Sequence, residues 1–106
     1  MNLFISTAKV IRNPRLYRIK QKVFLKINIV FLKRKKKVYL RSAICVIKGR
    51  LAIHIFDILK KNDIVFIEGY IKIKFLQISN NNKNIKIVTM QAKKMYNLRK
   101  MVERIV

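Results

Sequence analysis

Apolar and polar residues alternate along much of this chain, and the period of the alternation changes twice within one stretch. Val23, Leu25, Ile27, Ile29 and Phe31 take every second position, while Lys22, Lys26 and Asn28 share the intervening ones with Phe24. Period two puts successive side chains on opposite faces of a strand, so Val23–Phe31 is expected to be one. Asn2–Arg12 reads as an earlier strand, ended by Asn13-Pro14, because proline removes a ladder donor and biases its predecessor away from helix. Val38–Ile47 reads as a third, apolar on both faces, which predicts burial by a helix or a second subunit. From Arg50 to Lys61 the period becomes helical. Leu51, Ile55, Ile58 and Leu59 fall on one face and Arg50, His54, Asp57 and Lys61 on another. Asn62-Asp63 supplies a turn, since short polar side chains bond to nearby backbone. Ile64–Phe75 returns to period two, with Val65, Ile67, Ile71, Ile73 and, by parity, Phe75 facing the core, and Lys72 and Lys74 facing away. Gly69 in mid-strand predicts a bulge or sharp bend. A polar loop, Ser79–Asn84, leads to a short last strand, Ile85–Met90. Met95, Leu98, Met101, Val102 and Ile105 then predict an amphipathic helix within Ala92–Val106.

One helix between two long strands in a small strand-rich chain predicts an all-β fold, a five-stranded Greek-key OB barrel. The helix joins strands three and four, and a short helix ends the chain. The barrel is expected over residues 1–92, with residues 93–106 as a helix packed on it or extending from it. Several local sequences support this. K-G-R-L-A at Lys48–Ala52, L-K-K-N-D-I-V-F-I-E-G at Leu59–Gly69, I-K-I-K at Ile71–Lys74 and N-P-R-L at Asn13–Leu16 stand in this order along the chain. Together they resemble the bacterial single-stranded DNA-binding protein family, over roughly Met1 to Met90. The resemblance implies a non-catalytic single-stranded DNA-binding protein of replication and repair, assembled as a homodimer or homotetramer.

Composition sharpens the picture. Lys and Arg number 26 against 4 acidic residues, a formal net charge of +22 in 106 residues. Such a balance attracts a polyanion, nucleic acid first. Abundant Ile, Lys and Asn also fit an A+T-rich genome, which relaxes surface positions towards lysine, yet this bias does not account for so few carboxylates. Cys45 is the lone cysteine and sits in an apolar run, so it is expected to be a small buried hydrophobe rather than a disulfide partner or metal ligand. No run approaches the ~18 apolar residues of a transmembrane helix, and no positive region precedes Leu3–Ile5 as a secretory signal requires. No membrane and no cofactor is expected. The composition looks like that of a plastid reading frame acting in the stroma, with the cytoplasm of an A+T-rich bacterium or endosymbiont as the alternative.

Catalysis finds little support. His54 and Asp57 stand at i, i+3 on a helix, a spacing that ordinary surface pairs also show, and no Gly-rich phosphate loop, CxxC or HExxH occurs. Single-strand binding needs cations for phosphates and flat side chains for bases. In an OB barrel the cations bordering the groove are expected to be Arg15, Arg18, the run Lys33, Arg34, Lys35, Lys36 and Lys37 at a hairpin tip, Arg41, Lys48, Arg50, Lys72 and Lys74. The resemblance puts the family's stacking aromatics near Lys35, Ser42, Lys48 and Phe75–Leu76. The chain has no Trp, and Tyr39 and Tyr70 are the remaining aromatic candidates. This departure is closer to the primosomal replication protein B branch of the fold, in which electrostatics carry more of the binding. A second departure is the final E-R-I-V, where the family carries a Gly-rich arm with an acidic tip. The expected ligand is therefore a single-stranded nucleic acid, DNA ahead of RNA. The alternatives are an RNA-binding or ribosome-associated OB protein, and a relic oligomerisation module.

Overall fold

The computed structural model of the chain describes residues 3–32, 41–78 and 83–105. Its elements are β1 (Leu3–Val10), β2 (Arg15–Ile19), β3 (Lys22–Phe31), β4 (Ser42–Lys48), α1 (Arg50–Ile58), β5 (Ile64–Ile78), β6 (Lys83–Asn97) and α2 (Leu98–Ile105). Five strands close a ring. β1 pairs with β5, β5 with β6 and β4 with β3, all antiparallel, while β6 runs parallel to β4. The ring shuts where the end of β3 returns to β1, through Ala8↔Phe31, Lys9↔Val30 and Val10↔Ile29. This is the OB arrangement, with α1 between the third and fourth barrel strands.

Alternation fills the interior. Leu25, Ile27, Ile29 and Phe31 of β3, Ala43, Cys45 and Ile47 of β4, and Val65 and Ile67 of β5 are buried. Ala8 and Val10 of β1, with Val88, Met90, Ala92 and Met95 of β6, join them. α1 contributes Ala52 and Ile55, and Leu59 follows its end. Burial pushes the Cys45 thiol up to about 12, partly offset by a hydrogen bond with the Ala92 backbone. At neutral pH it is a protonated, small apolar filler.

The structure departs from the expected elements at four places. β2 was not expected. All five of its residues are exposed, so no buried face shows in its sequence. It joins β3 through Lys20 and Gln21, both at positive φ, where a two-residue hairpin usually announces itself with Asn or Gly. α1 stops at Ile58 rather than Lys61, because Leu59 is extended and the Asp63 carboxylate accepts the Lys60 N–H at 2.8 Å. β6 runs to Asn97, well past Met90, so the expected helix over Ala92–Val106 and a barrel ending at residue 92 are both corrected: α2 begins at Leu98. The cause is a bulge. Glu68 faces Lys94 but Gly69 faces Ala92, so Lys93 is the extra residue, and Ala92 and Met95 both point inward three positions apart, a spacing that reads as helix. Finally, Ile73 and Phe75 were expected in the core but are 37% and 66% exposed. Beyond Tyr70, where its pairing with β1 ends, β5 pairs with β6 alone and carries them clear of the barrel. The predicted strand residues Val38–Leu40 and most of the loop Ser79–Asn84 lie outside the described residues.

A polar latch holds α2. Asn97 is buried; its Nδ2 donates to the Ile58 carbonyl at 3.1 Å and to Asp63 Oδ2 at 2.8 Å, while its Oδ1 accepts the Arg99 N–H at 3.0 Å. Asn97 thus caps α2 at its N-terminus and α1 at its C-terminus. Arg99 Nε adds a bond to Asp63 Oδ1 at 3.3 Å. Burial works to raise the Asp63 pKa, but Arg99, the Lys60 N–H and Asn97 outweigh it and hold the carboxyl below the usual carboxylate range. Asp63→Ala is expected to cost about 2 kcal/mol at neutral pH, the scale of charge-assisted hydrogen bonds. A depressed folded pKa stabilises fully above the unfolded value of about 4 and loses that contribution as pH falls through the folded value. The melting-temperature gap between wild type and Asp63→Ala should therefore shrink from neutral pH towards about pH 2; a pH-independent gap contradicts the latch.

Candidate nucleic-acid interface

Strand register builds the outer face of the barrel. Directly opposed residues on neighbouring strands share a face. Arg15, Lys26, Val46, Gln91 and Tyr70 therefore form a row from β2 across β3, β4 and β6 to β5. Asn28, Ile44, Thr89 and Lys72 form the next. Because the buried positions of β3, β4 and β5 are held by apolar residues and Gly69, the alternate positions of these strands carry the polar side chains outward.

Four grooves open on or beside this face. One, of about 300 Å³, brings together Lys48, Tyr70 and Lys72 with Val46, Thr89 and Gln91. A second, of about 420 Å³, gathers Arg15 with Arg12, Lys26, Lys61 and the carboxamides of Asn13 and Asn28. A third, also about 420 Å³, holds Arg41 with Lys86 beside Ile44 and Ile87. The fourth, of about 530 Å³, holds Lys48 and Arg50 with Lys22 and Phe24. None of the four acidic side chains lines any of these grooves. Asp63 belongs to the latch, Glu103 lies 3.6 Å from Arg99, and Glu68 lies 3.8 Å from Lys94. Asp57 and His54 are both exposed on α1, and no ion pair joins them.

The expected binding residues thus separate. Arg15, Arg41, Lys48, Arg50, Tyr70 and Lys72 reach the grooves. Arg18 does not: it faces Val23, whose side chain packs on the core side of β3, so it points away from the face that carries Arg15. Lys74 stands farther out on the β5–β6 ribbon, opposite Ile87. Lys33, Arg34, Lys35, Lys36, Lys37 and Tyr39 lie outside the described residues. Tyr70 is half-buried, with the Lys93 ammonium 5.8 Å from its ring centroid, a cation–π contact supplied by the bulge residue. Sequence reading missed Arg12, Lys22, Lys26, Lys61 and Lys86 as groove cations, and Lys93 as the cation over Tyr70. For Lys22 and Lys26 the signal was present, since the alternation of β3 already turned them outward. Phe75, read as core, is instead the most exposed aromatic on the ribbon.

No protein-family model matches the chain, and no curated protein matches it by sequence. Solved structures do match. The small single-stranded DNA-binding protein of Streptomyces coelicolor superposes with a TM-score of 0.72 at 12% identity, over 92% of this chain and 95% of that one. The second single-stranded DNA-binding protein of Mycobacterium smegmatis gives 0.67 at 18% identity, over 94% and 91%. The corresponding domain of a Synechococcus protein gives 0.68 at 21%, over 92% and 96%. At these identities the likeness speaks for architecture, and it spans nearly the whole of each chain: the protein has the OB fold of the bacterial single-stranded DNA-binding proteins.

Proposed function

We propose that this protein is a non-catalytic single-stranded DNA-binding protein acting in replication or repair. Lys and Arg side chains on the outer face of the barrel hold the phosphate backbone. The observation that carries the reading is the set of grooves lined by Arg15, Arg41, Lys48, Arg50 and Lys72 with no carboxylate among them. Phosphates entering such grooves meet cations without paying for like-charge neighbours. The fold shared with the three bacterial proteins supports the same ligand. Lys48→Glu and Lys72→Glu are each expected to weaken binding to a labelled 30-mer of poly-dT by about tenfold or more. Arg104→Glu, on α2 beyond the far end of β6, should change it much less. Equal losses for all three variants would mean attraction to net charge without a site.

We propose further that the chain forms a homodimer or homotetramer. Among the described residues Leu3–Ser6 has a strand on one side only, and Leu3, Ile5, Phe66 and Tyr96 are exposed on β1, β5 and β6. An open edge beside apolar side chains favours pairing with a second copy. Ile44 and Val46 of β4, the strand whose two apolar faces suggested association, are half-buried beside the grooves. Light scattering should give a mass two or four times 12.7 kDa. A monomer at micromolar concentration contradicts the assembly.

A further inference from the structure

We propose that Tyr17 and Phe24 form a stacking platform for an unpaired base of the bound strand, a site that rests on the single-strand reading above and deepens it. Phe24 of β3 is the cross-strand partner of Lys48, and Tyr17 of β2 is the partner of Phe24. The three side chains therefore lie in one row on one face.

Burial supports a ligand role. Phe24 is half-buried as a wall of the groove of about 530 Å³, with Lys22, Lys48 and Arg50 around it. Tyr17 is 40% exposed on a strand that has no buried residue, so its ring serves no core. A flat ring beside three cations suits a nucleotide, the base against the aromatic face and the phosphate against Lys or Arg. Lys48 also lines the groove of Tyr70 and Lys72. A strand held there reaches Phe24 by crossing a single cation.

The test uses the full chain, a labelled poly-dT 30-mer and an abasic 30-mer with the same backbone. Wild type should prefer the strand that carries bases. Tyr17→Ser and Phe24→Leu should each bind poly-dT about tenfold more weakly, the scale of one lost stacking contact. Both should bind the abasic strand as wild type does, with an unchanged salt slope because no phosphate contact is lost. Tyr17→Ser alters an exposed side chain and leaves the core intact, so it decides the matter even where Phe24→Leu disturbs packing. If wild type prefers single strands and Tyr17→Ser discriminates bases as well as wild type, the platform is wrong while the single-strand reading stands. If wild type shows no preference for single strands over duplex, the parent reading falls and takes the platform with it.

Discussion

Gly69→Ala is expected to destabilise the protein by about 3 kcal/mol or more, the upper range for overpacking a buried position. A Cβ at Gly69 would run into the Gln91 carbonyl oxygen and lie 2.9 Å from the Ala92 Cα. Both obstacles are backbone of β6, so no side-chain rotation relieves them. The strands must separate at the bulge, where the longest pairing of the barrel changes register. Gly49 offers the contrast. Its φ is +76° with ψ −146°, and nothing lies within 4 Å of an added Cβ, so Gly49→Ala carries only the cost of a positive-φ backbone that side chains rarely adopt, about 1–3 kcal/mol. In a domain of this size each kcal/mol moves the melting temperature by about 4–8 °C. Gly69→Ala should therefore melt more than about 12 °C below wild type. A fall under about 4 °C would contradict the close approach of β5 and β6.

The barrel strands were legible because each has one apolar face against one core. Leu25, Ile27 and Ile29, or Val65 and Ile67, announce themselves by parity. What stayed hidden was structure without that signature. β2 buries nothing and turns on Lys20-Gln21, so neither alternation nor turn chemistry betrays it; with it went the cross-strand neighbour of Phe24. The Gly69 bulge was foreseen, but not that it would displace the parity of β6 and make a strand look helical from Ala92 to Met95. Phe75 kept the right parity, yet the interior had ended before it. Among the groove-lining residues, Lys48, Lys72 and Arg50 were legible from motif position. Arg12 and Lys61 were not, because a turn and a helix end bring them beside Arg15 from distant parts of the chain. Asn97 and Arg99 find Asp63 for the same reason.

Affinity for single-stranded DNA is expected to fall steeply with salt. Arg15, Lys26, Arg41, Lys48, Arg50 and Lys72 line the grooves, and no carboxylate competes with phosphate there. Each neutralised phosphate releases condensed counterion, so ~6 contacts give a slope near −4 in log affinity against log salt. Between ~50 and ~200 mM salt the affinity should drop about 300-fold. Lys72→Gln should make the slope shallower by roughly 0.7 without altering base preference. A slope near zero would mean that the grooves do not hold phosphates at all, whatever the net charge.

Above all, this face is expected to select single strands rather than any polyanion. Fluorescence anisotropy of the protein with labelled poly-dT, duplex DNA and single-stranded RNA of equal length, all at ~150 mM salt, tests it most directly. Poly-dT is expected to bind about tenfold or more tighter than duplex, because bases reach aromatic side chains that a stacked duplex withholds. Equal affinity for all three ligands would contradict it and leave charge as the sole determinant.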